Sequence, residues 1–345
     1  MIVALVFATV IAAPAPEAQY KQPQVAVGQR TTAITFGSGN AIYVATSSDR
    51  GRSFGRPVKV TEPGVISLGR HRGPRIALMS DGIVVSAIAG VKGRGADGDV
   101  LAWRSTDGGN TWSEGVRVND TAGSAREGLQ AMSARGQTVF AAWLDLRSKG
   151  TKIFGSVSRD GGATWSKNVL VYESPDGSVC ECCHPSTAID AQGHVYVMFR
   201  NSLAGSRDLY LARSLDGGQS FSPATKLGSA TWQLNACPMD GGGLAITAKG
   251  GPVTVWRRGK EVFTASDDRS EKKLGTGKDP AIAVNGKGMY AAWTTDAGVQ
   301  VTIPGQNEPV LLDNEGGYVQ LAATPEGKVL AVWERNGSIV IESID

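Results

Sequence analysis

Ser105-Thr-Asp-Gly-Gly-Asn-Thr-Trp112 is the stretch whose reading decides the fold, because it recurs. Its copies are Ser47-Ser-Asp-Arg-Gly-Arg-Ser-Phe54, Ser158-Arg-Asp-Gly-Gly-Ala-Thr-Trp165 and Ser214-Leu-Asp-Gly-Gly-Gln-Ser-Phe221, all of the form Ser-x-Asp-x-Gly-x-Ser/Thr-aromatic. Starts separated by 53 to 58 residues mark a repeat architecture. The pattern has a mechanical logic. Its Asp can accept backbone N–H groups of a tight turn, its Gly supplies positive φ, and the aromatic ring plugs the turn from below.

Around each copy the same unit returns. An alternating strand often follows Pro, as in Pro23–Val27, Pro74–Leu78, Pro185–Ile189 and Pro280–Val284; Gly128–Met132, Pro238–Ile246 and Gly317–Leu321 are its other forms. A glycine turn and a strand rich in β-branched and aromatic residues come next, then a third strand into the motif and a short fourth out of it. No segment has a helical period. Four antiparallel strands repeated radially predict an all-β chain folded as a β-propeller. Seven first strands give seven blades, with the N-terminal segment closing the last; six is the alternative. The last three units carry degenerate motifs, for example Thr294-Thr-Asp-Ala-Gly298.

With 345 residues, 45 of them Gly, one large repeat domain over residues 19–345 is expected. A net charge of +3 supplies no basic stripe for nucleic acid. The apolar run Ile2–Ala13 is shorter than the roughly 20 residues that span a bilayer. Followed by Pro14-Ala-Pro-Glu-Ala18, it reads as a signal peptide over residues 1–18, implying a secreted or periplasmic protein with no membrane span. Residues 14–22 read as leader or linker.

Antiparallel order puts the repeated motif on the same end as the turn between strands one and two. The opposite end collects the unusual chemistry, including Arg70-His-Arg-Gly-Pro-Arg75, Cys180-Glu-Cys-Cys-His-Pro185, Asn235–Asp240, Arg257-Arg258 and Glu315–Tyr318. A pocket is expected there.

The repeats resemble the Asp-box (BNR) repeat of the sialidase superfamily, and the likeness extends to about residues 70–335. It implies an exo-glycosidase acting on a sialic-acid-like, acidic sugar, with no cofactor. By that match Arg75 is the first of three carboxylate-binding arginines, Arg200 the second, and Arg257 or Arg258 the third. Tyr318 is the nucleophile, Asp97 (or Asp99) the acid, and Glu334 the residue that holds an arginine. Ala77 stands where the family has Pro, and His184 where it has Glu, with Glu181 nearby; either could serve Tyr318 as base. The chemistry is coherent. Guanidiniums hold a carboxylate through charge-assisted bonds, a neutral phenol is not repelled by that anion, and a phenol of pKa about 10 needs a base.

Each residue also has a plain structural role open to it: Asp97 as a turn former, Tyr318 as packing, the arginines as surface or ion-pair groups, and His71 as an exposed residue between two arginines. The four cysteines, Cys180, Cys182, Cys183 and Cys237, suggest disulfides in an exported chain. Their alternative is a soft-donor site in which they join His184 and Met239 to bind Cu or Zn. A noncatalytic propeller binding a metal or an acidic glycan is therefore the second functional reading.

Overall fold

The computed structural model describes residues 8–14, 18–93, 95–266 and 270–344, with backbone only at 126 and 127. Among them the chain is all β, arranged as seven sheets. In chain order the blades span residues 21–61, 65–117, 125–172, 186–226, 243–276, 278–313 and 316–344, and are numbered one to seven. Within blades one to six the strands run outward in sequence order. Blade seven supplies three strands, and Thr9–Ala12 pairs antiparallel with Ser338–Ile344 as its fourth. The seven-blade count holds, and the N-terminal segment closes the ring. Those four residues lie inside the stretch read as an export signal, of which residues 1–7 and 15–17 fall outside the described ones. Lys21 and Gln22, read as linker, already belong to the first inner strand.

Second strands are sandwiched between neighbouring blades, which is why they read as nearly unbroken apolar runs rather than alternating ones. Thr138–Asp145 is buried at every position after the first. Trp143, Trp293 and Trp333 are the largest fully buried side chains. Burying an indole leaves one N–H to satisfy. Trp143 donates to Asp145 Oδ2 at 2.8 Å, Trp333 to Asp313 Oδ2 at 2.8 Å, and Trp293 to the Thr276 carbonyl at 3.0 Å.

The four repeated motifs join third to fourth strands, as expected. In the second copy Asp107 accepts the Thr111 hydroxyl at 2.6 Å, the Ser105 hydroxyl at 2.8 Å and the N–H groups of Asn110 and Thr111 at 3.0 Å. Gly109, at φ 92°, donates its N–H to Ser105 Oγ. Phe54, Trp112, Trp165 and Phe221 pack against the cores beneath. These bonds hold all four aspartates below the usual carboxylate range, Asp160 at about 2. One expectation fails. Thr294–Gly298 is no degenerate copy but the turn between second and third strands, on the opposite face.

Candidate functional site at the propeller axis

Inner strands from all seven blades, contributing Gln24, Ile76, Met132, Ser186, Leu244, Ile282 and Gln320, line an axial cavity of about 220 Å³. His71, Arg75 and His184 line it too. Its loop-bearing end is built from irregular backbone. The register of the inner strand shifts between Lys21 and Gln24, Ala125 and Gln130, Lys278 and Ala281, and Gly317 and Gln320. Gln22, Gly128, Asp279 and Tyr318 sit in those bulges at φ 54° to 70°. A left-handed residue with a side chain costs on the order of 1–3 kcal/mol, and such residues concentrate at functional sites.

Blade two departs further. Val65–Ile66 and Arg75–Leu78 both pair with the same second strand, and residues 67–74 leave the sheet between them. Glycines at 69 and 73 and left-handed Arg70 and His71 turn that excursion. It delivers His71 to the axis, 5% exposed, where Nε2 lies 2.8 Å from Asp279 Oδ1. The His71 ring stacks on His184 (centroids 4.3 Å apart, 27° between planes) and meets Tyr318 edge-on at 5.5 Å. His71 is thus a buried centre of the site, not an exposed residue between two arginines. Its sequence signal was the Gly-rich, Arg-flanked run; Asp279, just before Pro280, had none.

Tyr318 and His184 reach the axis as expected. Burial, followed by the charges of Asp279 and Glu334, raises the Tyr318 phenol above its ordinary value. His184 Nε2 lies 3.2 Å from the Gly242 carbonyl, so Nε2 carries the proton and Nδ1 is the imine nitrogen. That Nδ1 is enclosed without a hydrogen-bond partner. Burial, then the neighbouring His71 and Arg75, drive the imidazole well below its ordinary pKa. Among the described residues Glu334 holds no arginine: Oε1 accepts both the backbone N–H and the side-chain amide of Gln22, and burial raises its carboxyl.

Of the four arginines, only Arg75 lines the cavity. It donates to the carbonyls of His71, Gly73 and Pro74 and has no carboxylate partner among the described residues. Burial lowers it to about 10, so it stays charged at neutral pH. Arg200 is spent on the carbonyls of Asp240, Arg207 and Arg257. Arg257 binds Asp240 Oδ2 at 3.0 Å and the Pro238 carbonyl, and both guanidiniums lie over the Trp232 ring. Arg258 forms a bidentate pair with Glu271, both contacts 2.6 Å. A three-arginine carboxylate clamp is therefore not assembled.

Three further expected residues are engaged away from the axis. Asp97 accepts the N–H groups of Val91 and Lys92, which hold it ionised and close its own loop. Asp99 likewise binds Asn119 and Gly123. Glu181 accepts the hydroxyls of Thr151 and Ser178.

The cysteines are free thiols, and the expected disulfides are not formed. Sγ atoms of Cys180, Cys182 and Cys183 lie 3.4 to 4.0 Å apart in a buried cluster against Met239, while Cys237 is exposed. Neighbouring Cys182 pushes the Cys180 thiol up to about 12, and burial pushes Cys183 to about 12.

Residues 102–255 match the BNR repeat-like domain family. No curated protein matches the sequence. Among solved structures, an α-L-arabinofuranosidase from Fusarium graminearum superposes with TM-score 0.58 at 14% identity, covering 98% of each chain. An ulvan lyase of polysaccharide lyase family PL25 gives 0.58 at 10% identity, over 98% of this chain and 96% of that one. A Hadza microbial sialidase gives 0.51 at 14%, over 92% and 74%. With the four motifs and the seven-bladed ring, these likenesses bear out the sialidase-superfamily resemblance as one of repeat and fold. Among the described residues no helix is long and apolar enough to cross a membrane.

Proposed function

We propose that this protein is a glycan-acting enzyme that takes a terminal acidic sugar end-on at the mouth of the axial cavity and cleaves its glycosidic bond. The observation that carries the reading is a convergence. A buried guanidinium with no carboxylate partner among the described residues, Arg75, lies beside an imidazole oriented by a carboxylate, His71 with Asp279, and that ring meets Tyr318. A cavity of about 220 Å³ is below the roughly 300–1,000 Å³ of drug-sized pockets. It suits one sugar ring better than a threaded polymer. The neighbours that act on arabinofuranosides, ulvan and sialosides fit this reading. An exported, secreted or periplasmic location belongs to the same proposal.

In this reading Arg75 replaces a water shell around the sugar carboxylate. His71, its Nε2 fixed by Asp279, uses Nδ1 to take the Tyr318 phenolic proton as that oxygen attacks the anomeric carbon. The bond to the leaving oxygen breaks with its electron pair on that oxygen, which takes a proton from solvent at the mouth. Water then displaces the phenoxide, which recovers its proton from the His71 imidazolium and so restores the tyrosine, while the proton that water loses goes to solvent in place of the one the leaving oxygen took. With Asp97 and Asp99 engaged in their loops, neither stands ready as the acid for the leaving group, so aryl glycosides should react far faster than alkyl ones.

A second reading has its own support. His71 and Tyr318 adjoin each other, which suits elimination from a uronic acid, where one group removes the C5 proton and a neighbour protonates the departing oxygen. The test is a panel of 4-methylumbelliferyl sialosides and glucuronides followed for fluorescence, together with oligosaccharides linked through the uronate C4 followed for the absorbance of an unsaturated uronate. Tyr318→Phe and His71→Ala should each cut turnover by about 10²–10⁴. A folded protein that cleaves no acidic glycoside by either readout would refute the proposal.

A further inference from the structure

The thiol cluster beside the axis is used by neither route. It lies on the loop entering the inner strand of blade four, pinned at its start by backbone: Val179 N–H donates to the Thr151 carbonyl, and Cys180 N–H to the Arg200 carbonyl at 3.1 Å. Three thiols within four residues cannot pair off among themselves, and a bridge between such close neighbours is geometrically cramped. Their spacing instead matches a metal site. Metal–sulfur bonds of about 2.3 Å in a tetrahedron set sulfur–sulfur edges of about 3.8 Å. The three observed separations, 3.4, 3.6 and 4.0 Å, bracket that edge.

We infer that Cys180, Cys182 and Cys183 form three corners of a binding site for a thiophilic d¹⁰ cation, Zn(II) or Cu(I), with the fourth donor supplied across the blade four–five seam. Two soft donors stand there. The Met239 side chain packs on the three sulfurs, and Met239 is held in the left-handed region at φ 60°. Cys237 lies two residues earlier on the same loop. Sulfur-only donors select Cu(I) or Zn(II) over hard cations. The charge count favours Zn(II). Three thiolates around a divalent ion leave one negative charge, and the buried Arg200, whose own carbonyl accepts the Cys180 N–H and whose guanidinium has only carbonyl acceptors among the described residues, is the cation at hand. A monovalent ion leaves two negative charges against one arginine. The site would tie the His184 loop to blade five and so brace the axial histidines.

The experiment is metal analysis of the full chain purified under reducing conditions, followed by stripping and separate reconstitution with Zn(II) and with Cu(I) under anaerobic conditions. About one ion per chain should be retained, and the arm that survives a competing chelator identifies it. Co(II) substitution should give an intense thiolate-to-metal charge-transfer band. Cys183→Ser should lower retained metal at least tenfold. As a check independent of that variant's folding, bound metal in the unaltered protein should protect three thiols from alkylation, read by intact mass. Less than a tenth of an ion per chain after reconstitution, with all thiols alkylated at equal rates, would overturn the inference. So would disulfides linking these cysteines in protein isolated without reductant.

Discussion

Replacing Asp279 by Asn separates folding from chemistry at the axis. Asn keeps the side chain's size and, unlike most residues, tolerates the left-handed conformation that position 279 adopts at φ 56°. The backbone N–H there still donates to Asp240 Oδ2 at 3.0 Å, because that bond does not involve the substituted atoms. What changes is the 2.8 Å contact with His71 Nε2, made where the two residues, His71 and Asp279, are 5% and 8% exposed. Hydrogen bonds to a charged group contribute about 1.5–3 kcal/mol and neutral ones about 1, so the expected loss is about 0.5–2 kcal/mol. At roughly 2–4 °C per kcal/mol for a large domain, the melting temperature should fall by only a few degrees. Turnover should fall much further. An amide can present its NH₂ to the ring and reverse which nitrogen is protonated, removing the base that Tyr318 needs, and general-base catalysis is worth about 10²–10⁴. The assay pairs thermal melting with release of 4-methylumbelliferone from whichever acidic glycoside the unaltered protein cleaves. Full activity in the Asp279→Asn variant would refute the His71–Asp279 reasoning. Loss of activity matched by loss of folded protein would show the pair to be structural only.

Arg258→Lys should leave KM for an acidic substrate unchanged while lowering the melting temperature by a few degrees, since its two bonds go to Glu271; a KM raised tenfold or more would return Arg258 to the binding site. The repeated motifs set the acid limit of stability. Their aspartates have depressed folded-state pKa values, so their contribution is complete above the unfolded carboxylate pKa of about 4 and disappears as pH falls toward about 2, where Asp160 titrates. Urea midpoints measured at pH 5, 4, 3 and 2 should fall steadily across that window, and Asp160→Asn should flatten the fall; a midpoint independent of pH would contradict the turn chemistry.

The motif spacing sufficed for the architecture because each Ser-x-Asp-x-Gly-x-Ser/Thr-aromatic turn is closed by bonds within eight residues. Local chemistry of that kind is written where it acts. The same holds for the buried second strands and for the face on which unusual residues gather. The site could not be read that way. Arg75, Arg200, Arg257 and Arg258 look alike in sequence, yet Arg75 alone of the four lines the axial cavity, while Arg200 is turned onto carbonyls of Asp240, Arg207 and Arg257, and Arg257 and Arg258 pair with Asp240 and Glu271. His71 becomes central only because blade two opens its inner strand over residues 67–74, and Asp279, 208 positions away, arrives opposite it through ring closure. Whether a charged side chain serves a ligand or a neighbour depends on which partners remain after the blades pack. Those partners come from other strands and in several cases from other blades, as Asp279 of blade six does for His71 of blade two, so the tertiary structure alone decided them.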